Sequence, residues 1–305
     1  MAGELKMKSL VTNLYDVQAL RISVGNRLVS FDYNSRGEIG HTSDDDEKKE
    51  RKLAIENMVK EYNSMDEKVK NGRITTIEKY ITNNCEFIKD YSQYAMVDSY
   101  CRLMKTEAVV LGSIKNYVHK HPLWQRYLVQ VKGCGEVMAA VLISEIDMSK
   151  TRHIGSLIKY AGLDTVMTKD GIRVGRSKKE ESLETVEYIA KDGTVKTKRG
   201  ITYNPFLKTK LIGVLSTSFI KCGGPYRKVY DDYKYRLANS EKYGSDKEKG
   251  HRENMARRYC VKIFLKDLYI NWWRLLHNDA PFPEGDWYED KCGHPKTEPN
   301  YTLIV

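Results

Sequence analysis

Apolar residues recur every three to four positions along the first third of the chain, the period of an amphipathic helix. Leu10, Leu14, Val17, Leu20, Val24 and Leu28 mark one such stripe within residues 5–30. Asn34-Ser35-Arg36-Gly37 reads as a turn. Behind it, the acidic run Asp44-Asp45-Asp46-Glu47 supplies the charge favoured at a helix N-terminus, and Ile55, Met58, Tyr62 and Met65 carry that helix's apolar side. The stripe resumes over 75–119 through Ile77, Ile81, Ile88, Met104, Leu111 and Ile114, and no proline precedes Pro122. Residues 1–121 are therefore expected to form long antiparallel helices, a coiled-coil-like region. Their stripe serves either an internal core or the seam of a homo-oligomer, and no sustained heptad run marks a seam.

The pattern changes at Pro122. Short helices over 123–128 and 136–146 flank the turn Val131-Lys132-Gly133-Cys134-Gly135, and another over 154–161 leads to Gly162. Alternation then predicts two hairpins. Val166-Met167-Thr168 pairs with Ile172-Arg173-Val174 around Lys169-Asp170-Gly171, and 185–190 turns at Asp192-Gly193 into 194–197. Asn204-Pro205 starts a helix, an N-cap side chain followed by the preset φ of proline. That helix carries Leu207, Leu211, Val214, Leu215 and Phe219 and stops at Gly223-Gly224. Pro225 opens the next, with Tyr226, Tyr230 and Tyr233 on one face, and a polar linker over 239–250 precedes a last long helix over 251–276. A proline- and glycine-rich tail from Asn278 is expected to wrap the surface. The fold class is thus mainly α. A long N-terminal helical arm (1–121) is followed by a helix-hairpin-helix domain (122–280) with a small β-hairpin insertion at about 166–199, and by an irregular tail (281–305).

Charge narrows the choice of partner. The 51 Lys and Arg exceed the 41 Asp and Glu, for a net charge of +10, which favours a polyanion without separating DNA, RNA and an acidic membrane surface. No apolar run approaches the roughly 20 residues that span a bilayer, and the N-terminus has no apolar signal region, so a cytoplasmic location is expected. The 6 cysteines lack CxxC spacing, which supports neither a disulfide framework nor a zinc ribbon. Cys292 and His294 have no second ligand pair.

The turn at Gly133 carries the sharpest chemistry. Two glycines one residue apart let the backbone reverse between close-packed helices and present amide groups at the second helix's N-terminus. With Lys132 beside them, the amides of Gly133, Cys134 and Gly135 are expected to grip a backbone phosphate without reading bases. An ordinary glycine-capped turn between helices is the alternative.

The run from Val131 through Glu145, with its alanine-rich second helix, followed by Tyr160-Ala161-Gly162-Leu163, resembles the C-terminal domain of the IS116/IS110/IS902 family of transposases. The resemblance implies a DNA-binding module of helix-hairpin-helix type that also contributes a nucleophilic serine, and a separate RuvC-like domain supplying acidic metal ligands. This chain departs from that pattern. Residues 1–121 read as helices, and the nearest acid, Asp32, has no convincing second carboxylate. The family's Ser-Gly element falls on Asp170-Gly171, which leaves Ser177, beside Arg176, Lys178 and Lys179, as the candidate nucleophile.

The β insertion is strongly basic, and a two-stranded ribbon can lie along phosphates or enter a groove. Arg173, Arg176, Lys178 and Lys179 in the insertion, and Arg252 and Arg257 at the start of the last helix, join the turn as expected DNA contacts. The reading is a DNA-binding protein, with double-stranded or branched DNA as partner, RNA as a further possibility and no membrane. No cofactor is expected, save Mg²⁺ if the chain is catalytic. The alternatives are an active transposase or recombinase using Ser177, and a helical scaffold whose charge is incidental.

Overall fold

The computed structural model describes residues 2–35, 45–168, 170–171, 173–177, 180, 183–245, 248–292 and 296–304. The chain divides into two compact units, one formed by Ser9–Ser113 and the other by Met1–Lys8 with Ile114–Val305.

The first unit is built from α1 (Ala2–Ser35) after its first two turns, α2 (Asp45–Ser64), the single turn α3 (Glu67–Lys70), α4 (Ile74–Asn84) and α5 (Tyr91–His119) as far as Ser113. Its core gathers Leu28, Met58, Tyr62, Met65, Ile77, Ile81, Ile88 and Val97, so much of the stripe read from the sequence is buried within the unit, while Leu20 and Met104 are exposed. The helices α1 and α5 run antiparallel. Arg21 pairs with Glu107 at 2.6 Å and reaches Tyr100, while a Cβ at Gly25, one turn further along α1, would lie 3.2 Å from the Tyr100 ring. The helical pattern expected over 75–119 breaks between Asn84 and Tyr91. The Glu61 carboxylate accepts from the backbone N–H groups of Glu86, Phe87 and Ile88 at 2.6 to 2.9 Å, and Asp90 accepts from the Gln93 N–H at 2.8 Å as an N-cap. Helix α1 continues through Asn34 and Ser35, and Arg36, Gly37 and Asp44 lie outside the described residues.

The second unit centres on α12 (Lys249–Leu276), whose Ala256, Cys260, Val261, Phe264, Leu265 and Leu268 are buried. Around it lie α6 (Pro122–Arg126), a 3₁₀ turn (Leu128–Gln130), α7 (Glu136–Glu145), α8 (Ile154–Tyr160), α9 (Pro205–Thr209), α10 (Ser216–Cys222), α11 (Pro225–Ala238) and α13 (Tyr288–Cys292). Asn204 caps α9, accepting from the Leu207 N–H at 3.0 Å. The helix then passes through a π-helical stretch, Lys210–Leu215, into α10, which stops at Gly223 with φ of 70°. Phe219 stacks on Tyr226 and both meet Phe264 edge-on, with centroids 4.6 to 5.5 Å apart, which locks α10 and α11 onto α12.

Strands β1 (Thr165–Met167) and β2 (Arg173–Gly175) form one antiparallel hairpin, and β3 (Glu184–Ile189) and β4 (Val195–Gly200) a second. The mainly α fold with a small β insertion is as expected. At the second hairpin only Gly193 takes a positive φ, 80°. Ala190 donates to the Thr194 carbonyl and Gly193 to that of Ala190, so the loop is a three-residue turn. The segment after Asn278 is partly internal rather than merely wrapped on the surface, with Phe282 and Trp287 buried. Asp267, wholly buried on α12, accepts from Tyr226 Oη at 2.9 Å and from the Asn300 N–H at 3.0 Å, and Asn271 donates to the Tyr301 carbonyl at 2.9 Å. No described helix is long and apolar enough to cross a membrane.

Candidate nucleic-acid interface

At the predicted hairpin the chain reverses at Gly133, whose φ is 92°. A Cβ there would stand 3.0 Å from the Phe219 ring and 3.2 Å from the Phe219 amide nitrogen, so glycine is required for packing against α10 as well as for the turn. Lys132 is exposed. Cys134 is buried, and burial pushes its thiol up to about 12; its N–H donates to the Val131 carbonyl at 3.0 Å. That amide is therefore spent on the turn. At the start of α7, Glu136 accepts from its own backbone N–H, which with the nearby Lys115 and His119 holds its carboxyl below the usual range. A carboxylate thus already occupies part of the position expected for an anion.

The Tyr160-Ala161-Gly162-Leu163 element ends α8. Leu163 donates to the Ile158 carbonyl at 3.0 Å and Gly162 to that of Lys159 at 2.9 Å, the paired bonds of a Schellman cap around a glycine with φ of 66°. Tyr160 Oη donates to the Glu145 carbonyl at 2.9 Å, and the Asn204 amide donates to Tyr160 Oη at 3.0 Å and to Glu145 at 2.6 Å. The ends of α7 and α8 are thereby tied to the start of α9. A Cβ at Gly162 would fall 2.5 Å from the Tyr203 ring, so this corner admits no larger residue.

Just beyond the cap the chain enters a cleft of about 310 Å³, bordered by Asp164, Arg173 on β2, Tyr233 on α11, and His251, Arg258 and Lys262 on α12. Asp164 is the only carboxylate among the described lining residues, and Arg176 neutralises it through bonds of 2.6 and 2.7 Å. A Cβ at Gly175 would lie 2.9 Å from the Arg258 guanidinium, so the glycine lets that side chain lie on the hairpin. Burial pushes the Lys262 ammonium down, Arg258 adds to the shift, and Asp164 opposes it. Lys208, which stands 4.7 Å over the Tyr203 ring and donates to the Arg176 carbonyl, is shifted down by burial and then by Arg258. Desolvated cations held close together favour an anion that enters between them.

Of the expected contacts, the cleft gathers Arg173 and Arg176, and Arg176 lines it as a structural residue. It is 3% exposed, and its guanidinium also binds Glu184 at 2.7 Å and Thr202 at 2.8 Å, leaving it committed to protein partners rather than to phosphate. Arg252 is likewise buried and donates to the Tyr243 and Ser245 carbonyls at 2.5 Å. Arg257 pairs with Glu253 at 2.9 Å and Thr217 at 2.8 Å, away from the cleft. Lys178 and Lys179 lie outside the described residues, as does His294, and nothing is described of the Asp32 and Cys292 side chains. Ser177 is half-buried directly after Arg176. Arg258, Lys262 and His251 are the residues the sequence reading missed. They share a signal, the helical spacing 251, 255, 258, 262 along one face of α12. Arg252 is out of phase with that face and joins the buried row of Ala256 and Cys260.

No group of three or more His, Cys, Asp or Glu among the described residues is placed to hold a metal ion, so the metal chemistry implied by the resemblance has no ligand set among them. No curated protein and no solved structure matches the chain. Residues 125–182 match the model of the Transposase IS116/IS110/IS902 family, a stretch that includes the Gly133 turn, the capped end of α8 and the first hairpin. Over those residues, therefore, the chain is similar to the Transposase IS116/IS110/IS902 family, a similarity that supports a transposase-related function.

Proposed function

We propose that this protein binds DNA by seating the sugar-phosphate backbone in the cleft between β2 and α12. One observation carries the reading: Arg173, Arg258 and Lys262 converge around a single carboxylate that Arg176 already neutralises, next to the transposase-family element that ends α8. Cations that form no ion pair with a carboxylate among the described residues suit phosphate and carry no base sequence. Lys132 and the Gly133 turn supply a second contact of helix-hairpin-helix kind, weakened by the Glu136 carboxylate at the start of α7. Binding is then governed by backbone and shape.

Titrating labelled duplex DNA at several salt concentrations tests this. Affinity is expected to fall steeply as salt rises, and the Arg173→Ala, Arg258→Ala, Lys262→Ala variant is expected to flatten that dependence. Binding indifferent to ionic strength, or no binding at all, overturns the reading.

A further inference from the structure

The same cleft has an aromatic wall that a phosphate site does not require. Tyr233 on α11 and Tyr259 on α12 stack with centroids 4.1 Å apart and planes 14° from parallel. The Arg236 guanidinium lies 4.6 Å over the Tyr233 ring. With Arg236 both tyrosines border a neighbouring pocket, and they also border the cleft. A second ring pair, Tyr243 and His251, stands in the same lining with centroids 5.7 Å apart. Neither pair lies in the deep core; Tyr233 and Tyr259 are half-buried and His251 is exposed.

Resting on the DNA-binding reading, we infer that the cleft takes one unpaired nucleotide of a DNA strand, its base continuing the Tyr233–Tyr259 stack and its phosphate held by Arg173, Arg258 and Lys262. Size and chemistry both point this way. A space of about 310 Å³ lies at the small end of ligand pockets, which run from roughly 300 to 1,000 Å³, and it suits one nucleotide, whereas a paired duplex can only lay its backbone along the rim. A base within a duplex has both faces covered by its neighbours, so a stacking ring gains it only where the nucleotide is extruded, bulged or at a strand junction. Every base has a π-face, so the site selects for the unpaired state rather than for sequence.

The test compares the full chain binding two labelled duplexes of equal length, one perfectly paired and one with a single unpaired thymine. The unpaired site is expected to bind about tenfold tighter, on the order of one stacked base. Tyr259→Ala is expected to abolish that preference, bringing the ratio of the two affinities to about one, and Tyr259→Phe, which keeps the ring, to retain it. 2-Aminopurine at the unpaired position adds a direct readout, with fluorescence quenched by the wild type and by Tyr259→Phe but not by Tyr259→Ala. Equal affinity of the wild type for the two duplexes, or a preference that survives Tyr259→Ala, overturns the inference and leaves the backbone-binding reading standing. Failure to bind either duplex overturns that reading itself.

Discussion

The Gly133 turn and the cleft beside Lys262 belong to the same unit, yet they are made in opposite ways. The turn is local. Five consecutive residues build it, and its parts are largely committed to folding. Gly133 packs on Phe219, Cys134 is buried with its amide bonded to Val131, and Glu136 sits on the helix start. The cleft is assembled from the end of α8, a strand and two helices, and there the structural work is delegated to Arg176, which frees its neighbours. The comparison teaches that a motif can be the fold's hinge while the charge available to a ligand gathers elsewhere.

The largest effect that would sharpen this contrast belongs to Arg176. Replacing it with Met strips the partner from Asp164 in a buried setting and is expected to cost roughly 3 kcal/mol, read from urea unfolding. An unchanged midpoint would mean that Arg176 is not structural and could serve DNA after all. Next comes Gly133→Ala. Forcing a Cβ into a positive-φ position against Phe219 is expected to cost on the order of 2 kcal/mol, visible as a lower melting temperature, even though no ligand is present. Smaller in stability but diagnostic for binding is the salt slope. Removing Arg173, Arg258 and Lys262 together is expected to reduce it by about 3, against about 1 for Lys132→Ala. The reverse order would move the principal DNA contact back to the turn.

The smallest effect concerns the brace between α11 and α12. Burial raises the Glu253 carboxyl, but bonds from Lys234, Tyr230 and Arg257 outweigh it and hold the group at about 2. Because this value lies below the ordinary 4.5, Glu253 contributes its full stability above about pH 4.5, and that contribution is lost as pH falls toward 2. Glu253→Gln is expected to flatten the acid side of the stability profile. A profile identical to the wild type would show that this carboxylate does not brace α11 against α12.

Local chemistry made much of the fold legible. Asn204-Pro205, Gly223 and the paired β runs each specify their own backbone, and the predicted elements stand where these residues put them. The break between Asn84 and Tyr91 was not legible because its backbone is satisfied by Glu61, a residue on another helix. The site was legible only in part for a related reason. Arg252, Arg257 and Arg258 are equally cationic in sequence, and only the phase of α12 against its neighbours decides which is buried, which is paired and which lines the cleft. Tyr233 shares a helical face with Tyr226 and Tyr230 by spacing, yet it stacks on Tyr259 at the cleft's edge.

The bonds from Asn300 and Tyr301 to α12 also set an order of events. During synthesis, α12 is complete before residues 297–304 exist, and until they arrive Asp267 and Asn271 have no backbone from that segment to bind. The newborn helix must therefore keep its polar row wet, and the unit can close its interior only late. Chaperone capture or premature proteolysis should concentrate in that interval.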